Sequence, residues 1–185
     1  ASLLSGFSIE VTPASAQNID SFANHLPLNT SINVTFLPGS NIDDTVNVSY
    51  RLHQEGFKPV PHLAARNFVN QKSLEQCLEQ LTTIANVEEV LVIGGGLSAA
   101  LGPYHSTLQI LDSGLLEKYS IKKVGVAGHP EGSPDIPDLE LAQALQDKNS
   151  WARNSDVKVY IATQFCFDAS KIINWENRIN KSGNT

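Results

Sequence analysis

The sequence predicts an α/β protein built on a parallel sheet. Six short, β-branched apolar segments recur along the chain, and stretches of helical period lie between them. Polar, Gly and Pro residues gather immediately after each apolar segment, where the loops of a parallel sheet build sites. Strand and helix alternate from end to end with no internal repeat and no low-complexity linker, so residues 1–185 read as one domain.

Bulk composition excludes several classes. With 185 residues, 41% of them hydrophobic and 17% charged, the chain can bury one core and is neither disordered nor fibrous. A net charge of -6 opposes nucleic acid and anionic membranes, and the 13 Lys+Arg and five His form no basic run. No apolar run approaches the ~20 residues of a membrane span. The start, Ala1-Ser2-Leu3-Leu4-Ser5, lacks the basic region of a signal peptide. A cytoplasmic protein is therefore expected. Cys77 and Cys166 have no metal-ligand spacing; they could pair, but two reduced thiols are expected, and no metal site. Asn-x-Ser/Thr triplets begin at Asn29, Asn33 and Asn47. Chance accounts for them in an Asn-rich chain, and Asn33 falls in an expected strand.

The first strand, Phe7 to Val11, carries Glu10 between Ile9 and Val11 and runs into Thr12-Pro13. That carboxylate either faces out of the sheet on an alternating strand or sits buried as an acid poised for proton donation. The second strand, Ile32 to Phe36, includes Thr35 and leads into Leu37-Pro38-Gly39-Ser40. The third, Lys58 to Leu63, carries His62, which is either a hydrogen-bonded core histidine or a site residue. A helix follows over Ser73 to Leu81, with Leu74, Cys77, Leu78 and Leu81 on one face.

The fourth strand, Val90 to Ile93, ends in Gly94-Gly95-Gly96. Gly94 to Ala99 nominally fits the dinucleotide fingerprint G-x-G-x-x-A, but Pro103 interrupts the helix that should follow and no acidic residue ends the next strand. The glycines read better as backbone that a flat ligand approaches closely. The fifth strand, Lys123 to Ala127, opens into Gly128-His129-Pro130-Glu131-Gly132-Ser133-Pro134, and a helix runs from Asp138 to Trp151. The sixth, Val157 to Ala162, continues into Thr163-Gln164-Phe165-Cys166-Phe167-Asp168 before a helix over Ala169 to Ile179. Gln164 either caps that helix or offers paired donor and acceptor contacts to a ring.

Six βα units suit an open doubly wound sheet or a barrel. A closed (β/α)8 barrel usually takes about 250 residues, so a barrel here would hold about six of its eight units and leave two sheet edges unpaired.

Taken together, these loops resemble the methylenetetrahydrofolate reductase family in order and nearly throughout the chain. The carrying motifs are Ser8-Ile9-Glu10-Val11-Thr12-Pro13, Val34-Thr35, His62-Leu63, Gly125-Val126-Ala127-Gly128-His129-Pro130-Glu131 and Ala162-Thr163-Gln164-Phe165-Cys166-Phe167-Asp168. The fifth-strand and sixth-strand motifs are the most specific. The resemblance implies a (β/α)8 TIM-type barrel of which residues 1–185 are the N-terminal three-quarters. It implies FAD at the C-terminal rim and a folate substrate, with NADH or NADPH as co-substrate. The reaction implied is reduction of methylenetetrahydrofolate to methyltetrahydrofolate. By match of motif, Glu10 is the general acid and Gln164 hydrogen-bonds folate and nicotinamide. Thr35, His62, Ala127, His129, Ser133 and Lys148 match flavin-contact positions, as do Tyr104, Ser106 and Asp138 where loop lengths vary, with Gly94, Gly95 and Gly96 beside them. Lys148 would serve the phosphates as a point charge.

Three departures qualify the resemblance. The family usually ends its fourth strand in Arg-Gly-Asp, so Gly96 removes an aspartate near flavin and folate. His129 and Ser133 replace the common Tyr and His. The last two strands, with a substrate-facing aromatic residue, are absent, which reads as an incomplete chain. Two other readings follow from these departures. One is a flavin- or folate-binding relative without the reductase reaction. The other is an assembly protein whose sheet edge pairs with a further chain, a second copy included.

Overall fold

The computed structural model describes residues 5–37 and 39–184. Residues 1–4 of the start, Pro38 of the second turn and Thr185 lie outside the described residues. The elements follow in the order β1 (Ser8–Val11), α1 (Pro13–Ala16), β2 (Ser31–Val34), α2 (Ile42–Gln54), β3 (Lys58–Ala64), α3 (Gln71–Ala85), β4 (Glu89–Ile93), α4 (Thr107–Leu111), α5 (Leu115–Lys118), β5 (Lys123–Gly128), α6 (Asp138–Arg153), β6 (Lys158–Thr163) and α7 (Ala169–Lys181).

The strands form one curled, six-stranded parallel sheet in the sequential order β1-β2-β3-β4-β5-β6. Each strand pairs with the next in sequence, so the order never reverses as a doubly wound sheet requires.

Side-chain alternation divides the sheet into two faces. Val11, Ile32 and Val34 pack with Val48 and Leu52 of α2 in one cluster. Leu63, Val90, Val92, Val124 and Val126 pack with Leu74, Leu78 and Leu81 of α3 and Leu115 and Leu116 of α5 in another. This is the helix-covered face. Each such Leu or Val, removed from water, contributes about 1.5–3 kcal/mol before chain entropy is counted.

Caps explain the helix limits. Asn70 accepts from the Ser73 amide while Ser73 Oγ accepts from the Asn70 amide, which starts α3 two residues before the expected Ser73. The helix stops at Asn86, in the left-handed region at φ 48°. The helix start after β6 is capped by Asp168, whose side chain accepts from the amides of Ser170 and Lys171, and not by Gln164. Hydrogen bonds from Ser170 and the Lys171 amide hold the Asp168 carboxyl below the usual carboxylate range. The second strand ends at Val34, short of the expected Phe36, although the Thr35 amide still donates to Val11 O at 2.9 Å. No helix of the described residues is long and apolar enough to cross a membrane.

Candidate functional site

The other face of the sheet is concave, and the register fixes what it presents. Glu10 stands beside Asn33, and Asn33 beside Val60. His62 stands beside Leu91, Leu91 beside Gly125, Gly125 beside Tyr160, and Ala127 beside Ala162. Gly125 leaves room for its neighbours: a Cβ would lie 2.6 Å from Leu91 Cδ1 and 2.7 Å from the Tyr160 ring, so both side chains would have to shift. Toward the strands' N-terminal ends, Lys123 Nζ pairs with Glu89 Oε1 at 3.1 Å and lies 4.4 Å from the Tyr160 ring centre.

The C-terminal rim is built by loops that hold one another. Arg66, in the turn Ala65–Asn67 after β3, takes its amide to Gly94 O and its carbonyl to the Leu101 amide. Its guanidinium donates from Nε to His105 O at 3.1 Å and from Nη1 to Leu97 O at 2.9 Å. One side chain thus pins the long loop between β4 and α4. Gly95 sits at φ +93°, where a Cβ would meet Asn67 Oδ1 at 3.1 Å and Ala64 Cβ at 3.2 Å. Glu131 ties the loops after β5 and β6, its Oε1 accepting from the amides of Phe167 at 3.1 Å and Asp168 at 2.8 Å.

These elements, together with α6 and α7, line an open cavity of about 1440 Å³. Of the residues singled out from sequence, Glu10, Gln164, Gly94, Gly95, Gly96, Ser106, Ala127, His129, Ser133, Asp138 and Lys148 line it. Thr35, His62 and Tyr104 do not line it. Tyr104 packs in the hydrophobic core instead, where burial raises its hydroxyl's pKa. Thr35 and His62 carry buried polar atoms, Oγ1 and Nε2, that have no hydrogen-bond partner. The loop-pinning roles of Arg66 and Glu131 were not legible from sequence, because they depend on loops far away in the chain, and Asn33, which donates to Ile9 O of β1, was read only as a strand residue.

Glu10 takes the exposed one of its two expected positions, with its side chain 59% accessible on the concave face. His62 is the opposite case, 7% accessible, with Nε2 3.8 Å from Glu10 Oε2. Burial lowers its pKa, and the Glu10 charge opposes that shift. His129 is lowered too, by burial and then by Lys148, and burial lowers Lys148 itself. Cys77 is buried in the core with its thiol pushed up to about 12, while Cys166 is a free thiol in the loop after β6.

A stability prediction follows from the two histidines. Both favour the neutral ring in the fold, so below the unfolded value of about 6.5 the unfolded chain binds more protons than the folded one. Stability should therefore fall as pH drops from about 7 through the folded midpoints. Thermal melts over that window should show a smaller decline in His62→Gln; an unchanged decline removes His62 as a source.

The residues fit a dinucleotide such as FAD. The cavity exceeds the roughly 300–1,000 Å³ of common ligand pockets. At Gly94 a Cβ would have nothing within 4 Å, so this stretch of wall offers bare backbone to a flat ring. Lys148 lines the cavity in no ion pair among the described residues and is available to a phosphate. Among the described residues no group of three His, Cys, Asp or Glu is placed to hold a metal ion. No family model matches the chain.

Proposed function

We propose that this chain belongs to a (β/α)8-type barrel of the methylenetetrahydrofolate reductase kind. It binds FAD and a folate in the concave site and serves the NAD(P)H-linked reduction of 5,10-methylenetetrahydrofolate to 5-methyltetrahydrofolate. The observation that carries the reading is that Glu10, from the first strand, and Gln164, from the end of the sixth, line one cavity with Gly94 to Gly96, Ala127 and Lys148. Those are the residues the sequence motifs singled out, from elements at opposite edges of the sheet.

Bound FAD would carry the hydride between the nicotinamide and the folate. The residues of the chain supply the rest. Glu10 is open to the cavity and delivers a proton to the folate nitrogen that leaves when the ring opens. Gln164 presents an amide whose oxygen accepts and whose nitrogen donates, matching a pterin edge in one half-reaction and a carboxamide in the other. Gly94 to Gly96 and Ala127 keep the wall low for a flat ring, and Lys148 sets a positive charge beside a diphosphate. Gly96 carries no carboxylate, which favours a second reading: a flavin- or folate-binding relative that does not catalyse the reduction.

The test is a visible absorption spectrum after incubation with excess FAD and desalting. Retained flavin bands at roughly 370 and 450 nm, bleached by NADH or NADPH without oxygen, are expected. Retention without bleaching by either nucleotide selects the second reading. A protein that holds no flavin overturns both as flavin readings.

A further inference from the structure

His62 is the one histidine of the concave face that is almost wholly buried, and its Nε2 has no hydrogen-bond partner. A buried polar atom left unpaired is costly, and such atoms in native structures usually have a use. The charged group recorded beside it is Glu10, whose Oε2 lies 3.8 Å away on the accessible side. Glu10 is exposed and free to turn, and a small turn of its side chain would bring the pair into hydrogen-bond range.

We infer that His62 is the positioning residue for Glu10, its Nε2–H being the donor on which the Glu10 carboxyl rests while it gives up its proton. This rests on the reductase reading and adds to it the group that orients the acid. In the neutral Nε2–H tautomer the ring donates to the carboxyl in either protonation state, and more strongly once the carboxyl is charged. The proton leaves Glu10 for the substrate nitrogen, breaking the O–H bond and forming an N–H bond. The carboxylate left behind takes the stronger hydrogen bond from His62. Bulk water, which reaches the accessible Glu10, then restores the proton. The interaction is thus strongest where charge has developed, as transition-state stabilisation requires. Glu10 is the charge that acts on His62; the neighbouring strands offer neutral groups, Asn33 of β2 and Thr35 just after it, and Leu91 and Ile93 from β4.

The first test needs no cofactor. NMR titration of the His62 ring in the ligand-free protein should show its midpoint falling by about 0.5 to 1 pH unit in Glu10→Gln, because the opposing charge is gone. Glu10 is exposed, so that variant keeps the fold. An unmoved midpoint overturns the pairing. The second test compares half-reactions by stopped flow. His62→Leu should slow folate reduction about 10-fold more than it slows flavin reduction by NAD(P)H, and His62→Gln, which retains a donor, should recover most of the difference. Equal losses in both half-reactions would make His62 merely structural. If the parent protein reduces no folate, the reductase reading fails, while the NMR result still decides whether His62 and Glu10 are paired.

Discussion

On the proposed reductase reading, Glu10→Gln is expected to slow methylenetetrahydrofolate reduction by roughly 10²- to 10⁴-fold, the usual range for loss of a positioned general acid. The amide keeps the size and polarity of the side chain but has no acidic proton to give. Because the Glu10 side chain is exposed and makes no hydrogen bond among the described residues, the melting temperature should stay close to that of the parent. Oxidation of NAD(P)H with a surrogate electron acceptor should fall far less, since that half-reaction opens no ring. Steady-state assays with the two acceptors separate the cases. An equal fall in both would mean that Glu10 serves binding or structure and would withdraw its assignment as the acid.

The largest stability effect is expected at Gly102. A Cβ there would lie 2.3 Å from Val69 O, 2.4 Å from Val69 C and 2.5 Å from Phe68 O. These are backbone atoms held by the turn after β3, so they cannot rotate aside as a side chain would. Gly102→Ala should therefore push the loop between β4 and α4 off its seat and strain the Leu101–Arg66 hydrogen bond. A loss of about 3 kcal/mol is expected, at the upper end of overpacking costs. Gly94→Ala is the matched control, because a Cβ there has nothing within 4 Å. It should leave the unfolding midpoint nearly unchanged and weaken flavin retention if a ring lies on that wall. Urea unfolding of the two variants measures the first claim. Comparable midpoints would show that the loop rearranges at little cost.

The strands were legible because each is a short apolar run, β-branched in all but β3, and their observed limits differ from the expected ones by no more than two residues. The strand order was not legible. Periodicity in βαβ units is shared by doubly wound sheets and barrels, and only the pairing of each strand with its successor separates them. Glu10 and Gln164 were readable because polar residues at the ends of apolar strands are unusual. His62 takes the buried one of its two expected positions but without the expected hydrogen bond at Nε2, and the burial of Thr35 Oγ1 was not readable, since it depends on neighbours from other strands. Tyr104 turned inward to the core because a tyrosine in a long loop can serve either surface. Gly102 and Arg66 gave no local signal, because what they touch lies about 30 residues or more away in the chain.

The sequential pairing of the strands also bears on how the chain acquires its structure. No strand must wait for a later one to slip between it and its partner, so each strand finds its partner one βα unit along the chain. The cluster of β1, β2 and α2 is built from residues that precede Lys58 and can condense before the strands that follow have left the ribosome. The parts of the site mature in a different order. Glu10 is placed with the first pair of strands, but the wall that carries Gln164 is placed last, when β6 docks on β5. Pulse-labelled hydrogen exchange during refolding would record this as early protection at Ile32 and Val34 and late protection at Ile161 and Ala162.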